Sequence, residues 1–196
     1  MPDSPGLPRK PFWFLRHGQT DYNRDGLAQG RVDIPLNETG RAQARDAAAL
    51  LADRGITAIF CSPLRRARQT AAIVNETLHL PTTFEPELRE AAYGEMESQP
   101  MAEWFHGWIA GGFTPVGGES FAELGDRVAR VMASILQSPG LALIVAHGSL
   151  FRALRRQMGL PHTLPTPNGQ PLYCEPVDEA SQTGSWRIDG LVIGQP

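Results

Sequence analysis

The sequence predicts an α/β fold: a three-layer sandwich with a mainly parallel central sheet, helices on both faces and a small inserted cap segment. Three observations carry this. Apolar runs of strand length alternate with longer stretches whose apolar residues recur at helical spacing, the pattern of a parallel sheet covered on both sides. Two of those runs, Phe12-Trp13-Phe14-Leu15 and Leu141-Ala142-Leu143-Ile144-Val145-Ala146, end alike, in Arg16-His17-Gly18 and in His147-Gly148-Ser149. Ligands of open α/β sheets bind outside the carboxyl ends of the strands, where these residues fall. Between residues 84 and 118 the periodicity breaks into a stretch rich in glycine, proline and aromatic residues, an insert over the sheet.

Residues 11–16 read as the first strand. Asn37 can cap a helix over about 38–54, which Gly55 ends. Residues 56–61 form a second buried strand. Ser62-Pro63 then reads as N-cap and first helical residue of a helix to about 78. Within the irregular stretch a short helix fits near 101–109, and the cap spans about 91–118. A long amphipathic helix covers 119–137, followed by the 141–146 strand and a helix over 149–158. Residues 161–169 read as a loop, and 172–175 and 186–188 as short edge strands. Nothing in the chain marks an internal repeat or a linker, so 1–196 is expected to be one domain.

Composition narrows the function classes. A chain of 196 residues can bury a sizeable core. A net charge of −3 argues against a dedicated nucleic-acid binder. No apolar run approaches the roughly 20 residues that span a bilayer, and residues 1–10 are polar and proline-rich rather than signal-like. Cys61 and Cys174 stand alone, which predicts neither a disulfide framework nor a thiolate metal site. A cytoplasmic protein is expected, with neither nucleic acid nor membrane as its partner. The sequence leaves the oligomeric state open.

The candidate site is read from the residue types. A lone histidine at a turn usually does no more than hydrogen-bond it, but Arg16 beside His17 at the end of a buried strand is electrostatically awkward unless an anion lies near both. Thr20 and Asn23 add short neutral donors within the next turn. Arg65, Arg66 and Arg68 crowd the start of a helix, where the dipole disfavours cations, so one of the three is expected to face an anion held at that end. Glu90 lies in the loop after Leu88-Arg89. The amides after His147 can cradle phosphate.

Together these residues resemble the histidine phosphatase superfamily, the branch that includes phosphoglycerate mutases. The resemblance runs from Phe14 to about Ser149, in separate segments in the right order. Arg16-His17-Gly18-Gln19-Thr20 with Asn23 is similar to the family signature, followed by Gln29-Gly30, Asp33, Pro35-Leu36 and Gly40. Ser62-x-Leu64-x-Arg66-Ala67-x-x-Thr70-Ala71 matches the second block and selects Arg66 over Arg65 and Arg68. Glu90, Gly117-Gly118-Glu119-Ser120 and His147-Gly148 complete the series. Gln19, Ser98 and Val116 depart from the residues usual at their positions; none is a core catalytic position, so the departures bear on substrate.

The resemblance implies a catalytic set of His17, Glu90, Arg16, Arg66 and His147. It implies a small phosphorylated substrate, its phosphate bound by Arg16, Thr20, Asn23, Gln29, Gly30, Arg66, His147, Gly148 and Ser149, with no metal or cofactor. His17 would attack phosphorus, Glu90 would protonate the leaving oxygen and then activate water, and the arginines would neutralise charge. Phosphoglycerate mutase is the rival with the same chemistry, and a non-catalytic phosphate- or protein-binding module the rival of another class. A metallophosphatase fits less well, because neither histidine stands among clustered carboxylates. No lysine or arginine lies between Arg89 and Arg127, against the needs of a mutase. Met96, Met101, Trp104, Phe105, Trp108 and Phe113 fill that segment, either packing the cap on the sheet or lining the pocket mouth.

Overall fold

A computed structural model describes residues 7–177 and 186–190; residues 1–6, most of the polar N-terminal stretch, lie outside that description. Six strands form one sheet in the order β3-β2-β4-β1-β5-β6. They are β1 (Phe12–Arg16), β2 (Ile56–Cys61), β3 (Thr82–Phe84), β4 (Leu141–Ala146), β5 (Pro171–Pro176) and β6 (Trp186–Gly190). The four from β3 to β1 run parallel, and β5 and β6 add an antiparallel edge.

Alternation within the strands builds two cores. Phe12, Phe14, Ala142 and Ile144 turn to one face, under α5 (Phe121–Gln137) and α6 (Gly148–Gln157). Trp13, Leu15, Leu143 and Val145 turn to the other, under α2 (Glu38–Leu51) and α3 (Arg65–Leu78). Phe14 stacks on Phe151 of α6 with ring centroids 4.1 Å apart. Each such fully buried ring contributes about 2–3 kcal/mol. The cap carries α4 (Glu103–Ile109), whose Phe105, Trp108 and Ile109 join the first core.

Helix starts follow their side chains. Thr20 and Asn23 form a reciprocal capping box at α1 (Asp21–Arg24), and Ser120 and Glu123 form another at α5. Asn37 caps α2 through the Gly40 amide, as expected. α2 stops at Leu51, three residues short of the expected end, where Asp53 and Gly55 take positive φ.

The start of α3 corrects the sequence reading. Leu64, not Ser62, is its N-cap residue, and no local side chain caps it. The Ser62 amide instead extends the sheet by donating to Val145 O at 3.0 Å. The missing acceptor comes from a distant loop: Asp33 Oδ1 receives the Arg65 amide at 2.6 Å. Strand β3 was not expected; Thr82 and Thr83 pair with Ile59 and Phe60 at the sheet edge.

Because Asp33 substitutes for a local cap, Asp33→Ala should lower stability by about 1 kcal/mol. Urea unfolding checks this; an unchanged midpoint means that water caps the helix equally well.

Candidate active site

The pairing of β1 with β4 brings the two histidines together. Arg16 lies opposite Ala146, and the His17 amide continues the ladder by donating to Ala146 O at 3.0 Å. The His17 and His147 rings then lie side by side, 5.2 Å between centroids, both closed off from solvent. The chain turns away at Gly18, where a Cβ would fall 2.2 Å from Gly40 O; only glycine lets the start of α2 approach so closely.

His17 is oriented by its neighbours. Its Nδ1 lies 2.8 Å from Gly18 O, a contact only an Nδ1–H can make favourably. The bare lone pair is therefore on Nε2, which accepts from Arg66 Nε at 3.2 Å. Burial first, and then the charges of Arg66 and Arg16, hold the ring well below the usual histidine range, so it is neutral at pH 7. Burial and the same arginines also keep His147 neutral. Its Nε2 meets Ser62 Oγ at 2.7 Å, and its Nδ1 has no partner among the described residues.

Arg66 is fully buried, and burial lowers its pKa to about 10, which leaves it charged at neutral pH. NH1 and NH2 donate to Val32 O and Gly30 O, each at 2.8 Å. Three of its five N–H groups are thus engaged, and two remain. Arg16 donates from NH1 to Thr166 O at 2.5 Å, while its Nε has no partner among the described residues. Its guanidinium lies against Gly148, where a Cβ would come within 3.3 Å. Arg65 and Arg68 are exposed, as expected of the two arginines not chosen.

The cavity over these groups has an empty volume of about 710 Å³. Of the residues expected to bind phosphate, Arg16, Asn23, Gln29, Gly30, Arg66, Gly148 and Ser149 line it together with His17 and Glu90. Thr20 does not, being fully buried as the cap of α1, and His147 sits behind the lining.

Two findings change the expected picture. The Ser149 and Leu150 amides at the start of α6 are not open for phosphate. Ser149 N and Leu150 N each donate to the Glu90 carboxylate at 3.0 Å, and Ala91 N adds a third bond at 3.1 Å. The positive end of α6 thus holds Glu90 rather than an external anion. Arg152, which the sequence reading passed over, lines the cavity with its guanidinium over the Phe105 ring. Its spacing from Gly148 and Ser149, one helical turn on, was the available signal.

The aromatic cap divides between the two expected roles. Trp108 is buried away from the cavity with Nε1 on Glu119 O, and Trp104 packs against Tyr93 and Phe105. Met101, Phe105 and Tyr93 line the cavity, where Tyr22 and Leu27 join them. Among the described residues no group of histidine, cysteine or carboxylate side chains could hold a metal, and no helix is long and apolar enough to cross a membrane.

Comparison with known proteins agrees with this geometry. The profile of the histidine phosphatase superfamily (branch 1) matches residues 12–172. The chain is 39% identical over 142 residues to an uncharacterized phosphatase, PhoE of Bacillus subtilis, covering 71% of this chain and 72% of that one. It is 36% identical over 162 residues to the probable phosphoglycerate mutase GpmB of Yersinia enterocolitica, covering 76% and 75%. The solved structure of a mycobacterial glucosyl-3-phosphoglycerate phosphatase superposes with a TM-score of 0.78 at 28% identity, over 92% of this chain and 97% of that one. The chain belongs to the histidine phosphatase superfamily, branch 1.

The two buried neutral histidines set a pH dependence. Below about pH 6.5 the unfolded chain protonates them while the folded chain does not, so stability falls as pH drops. Each contributes a slope of about 1.4 kcal/mol per pH unit in that range. Denaturant midpoints should fall between pH 7.5 and pH 5, and His17→Asn should remove about half of the histidine slope. Midpoints that stay flat contradict the neutral assignment.

Proposed function

We propose that this member of the histidine phosphatase superfamily hydrolyses phosphomonoesters through a phosphohistidine on His17, without a metal, in a single domain over 1–196. The observation that carries the reading is the state of His17. It has a neutral ring with Nδ1–H tied to Gly18 O and the Nε2 lone pair turned to Arg66, beside a cavity that Arg16 also lines. Nucleophile and charge acceptors converge there, as phosphoryl transfer needs.

In the proposed sequence, His17 Nε2 gives up its hydrogen bond from Arg66 Nε and attacks phosphorus with the freed lone pair as the ester P–O bond breaks. The spare N–H groups of Arg66 and Arg16 take up charge on the phosphoryl oxygens. Glu90 delivers a proton to the leaving oxygen. A carboxylate has about four lone-pair sites, and the three amide bonds to Glu90 leave one for that proton. Water then attacks the phosphohistidine, gives its proton to Glu90, and the P–N bond breaks to return neutral His17. We place this activity in the cytoplasm, a reading the two buried, unpaired thiols support.

Mutase action is the second reading. The likeness to GpmB favours it, as does Arg152, a cation at the cavity that could meet a second acidic group. Against it, no lysine or arginine lies in the cap between Arg89 and Arg127, and Tyr22, Met101 and Phe105 present apolar surface at the cavity. A buried ring adds about 1 kcal/mol of binding or more.

Acid-labile, base-stable phosphate should appear on enzyme quenched during turnover and be absent from His17→Ala. Labelling of that variant refutes the assignment. In kcat/KM, aryl or nucleoside monophosphates should exceed 3-phosphoglycerate, with negligible mutase turnover in the presence of 2,3-bisphosphoglycerate. Strong mutase turnover restores the second reading.

A further inference from the structure

Arg127 and Glu119 form a buried ion pair that the chemistry above does not use. Arg127, at the second turn of α5, is 6% exposed, and neither residue lines the active-site cavity. Its Nε and NH2 donate to the two Glu119 carboxylate oxygens, each at 2.8 Å, a bidentate fork. Burying both charges is expensive and seldom adds stability over an apolar pair, so what else the pair touches matters.

It touches the backbone that carries Glu90. Arg127 NH1 donates to Glu87 O and, at 2.8 Å, to Arg89 O, and NH2 reaches Glu90 O at 3.4 Å. On the other side of Glu90, the Ala92 amide donates to Glu119 Oε2 at 3.4 Å, and the Glu119 amide donates to Ala92 O at 2.8 Å. Residues 89–93 belong to no helix or strand. Their main chain is held mainly from the entry to α5, while the α6 amides hold the carboxylate itself.

We propose that the Arg127–Glu119 pair is the positioning device for Glu90, fixing its backbone from both sides so that the carboxyl meets the leaving oxygen. Arg127 is a positioning residue and contacts no reacting atom. Its planar fork grips Glu119 and the carbonyls of the Glu90 segment at once, which the single ammonium of lysine cannot do. The inference rests on Glu90 acting as proton donor.

The test measures kcat/KM for 4-nitrophenyl phosphate, whose leaving group needs little protonation, and for an unactivated alkyl phosphate, whose leaving group needs it. Arg127→Lys keeps a cation beside Glu119, and Arg127→Met with Glu119→Gln removes both charges and leaves no unpaired carboxylate; each is also made on Glu90→Gln. Arg127→Lys and the charge-free double variant should each lose tenfold or more on the alkyl ester but under threefold on the nitrophenyl ester. On the Glu90→Gln background they should cost the alkyl ester nothing further. Equal losses on both esters mean a purely structural role, and losses that add in full to those of Glu90→Gln mean an independent one; either overturns the inference. If Glu90→Gln itself slows both esters equally, the proton-donor reading fails, and the positioning role falls with it.

Discussion

Five residue pairs join β1 to β4, from Phe12 with Ala142 to Arg16 with Ala146, and the His17 amide extends that ladder. Every feature of the site descends from this pairing. Both sheet faces are buried, so the hydrophobic pattern alone would tolerate a slipped register. The stack of Phe14 on Phe151 and the contact between Gly18 and Gly40 exclude one. With register fixed, two histidines from distant parts of the chain end level, and the arginine before one lies against the glycine after the other.

Two kinds of buried arginine follow from how their charge is met. Arg127 is neutralised by a carboxylate and holds structure. Arg16 and Arg66 are met by main-chain carbonyls of Thr166, Gly30 and Val32. Carbonyl dipoles solvate a guanidinium without cancelling its charge, so the cavity keeps a positive field that suits a dianion. That field, added to burial, also keeps His17 neutral and nucleophilic. Glu90 stands within it without pairing either arginine, because the α6 amides claim its oxygens.

The fold was legible because its signals are local: apolar runs, helical periodicity and the Asn37 cap. The principal site residues were legible because the motifs sit at strand ends. What escaped was non-local. Ser62 has the chemistry of a cap, but its amide belongs to the sheet and the carboxylate of Asp33, from a distant loop, takes its place. Of the amides after His147, those of Ser149 and Leu150 are filled by a loop glutamate. Arg152 carries no local motif, and only the packing of α6 against Phe105 of the cap brings it to the cavity. The mixed role of the aromatic segment needed geometry, since Trp108 and Phe105 share a helix but not a destination.

The residues that fix His17 arrive late in the chain. Its carbonyl is held by the Asn168 side chain, 151 residues on, and the carbonyl of Arg16 by the Gly169 amide. At synthesis rates of about 5–20 residues per second, roughly 8–30 s separate His17 from its last support on the ribosome. Until β4 has been made, β1 lacks both its neighbours in the sheet and presents unpaired apolar edges. The apolar strand that leads into the proposed nucleophile is therefore open to aggregation in the nascent chain until β4 pairs with it.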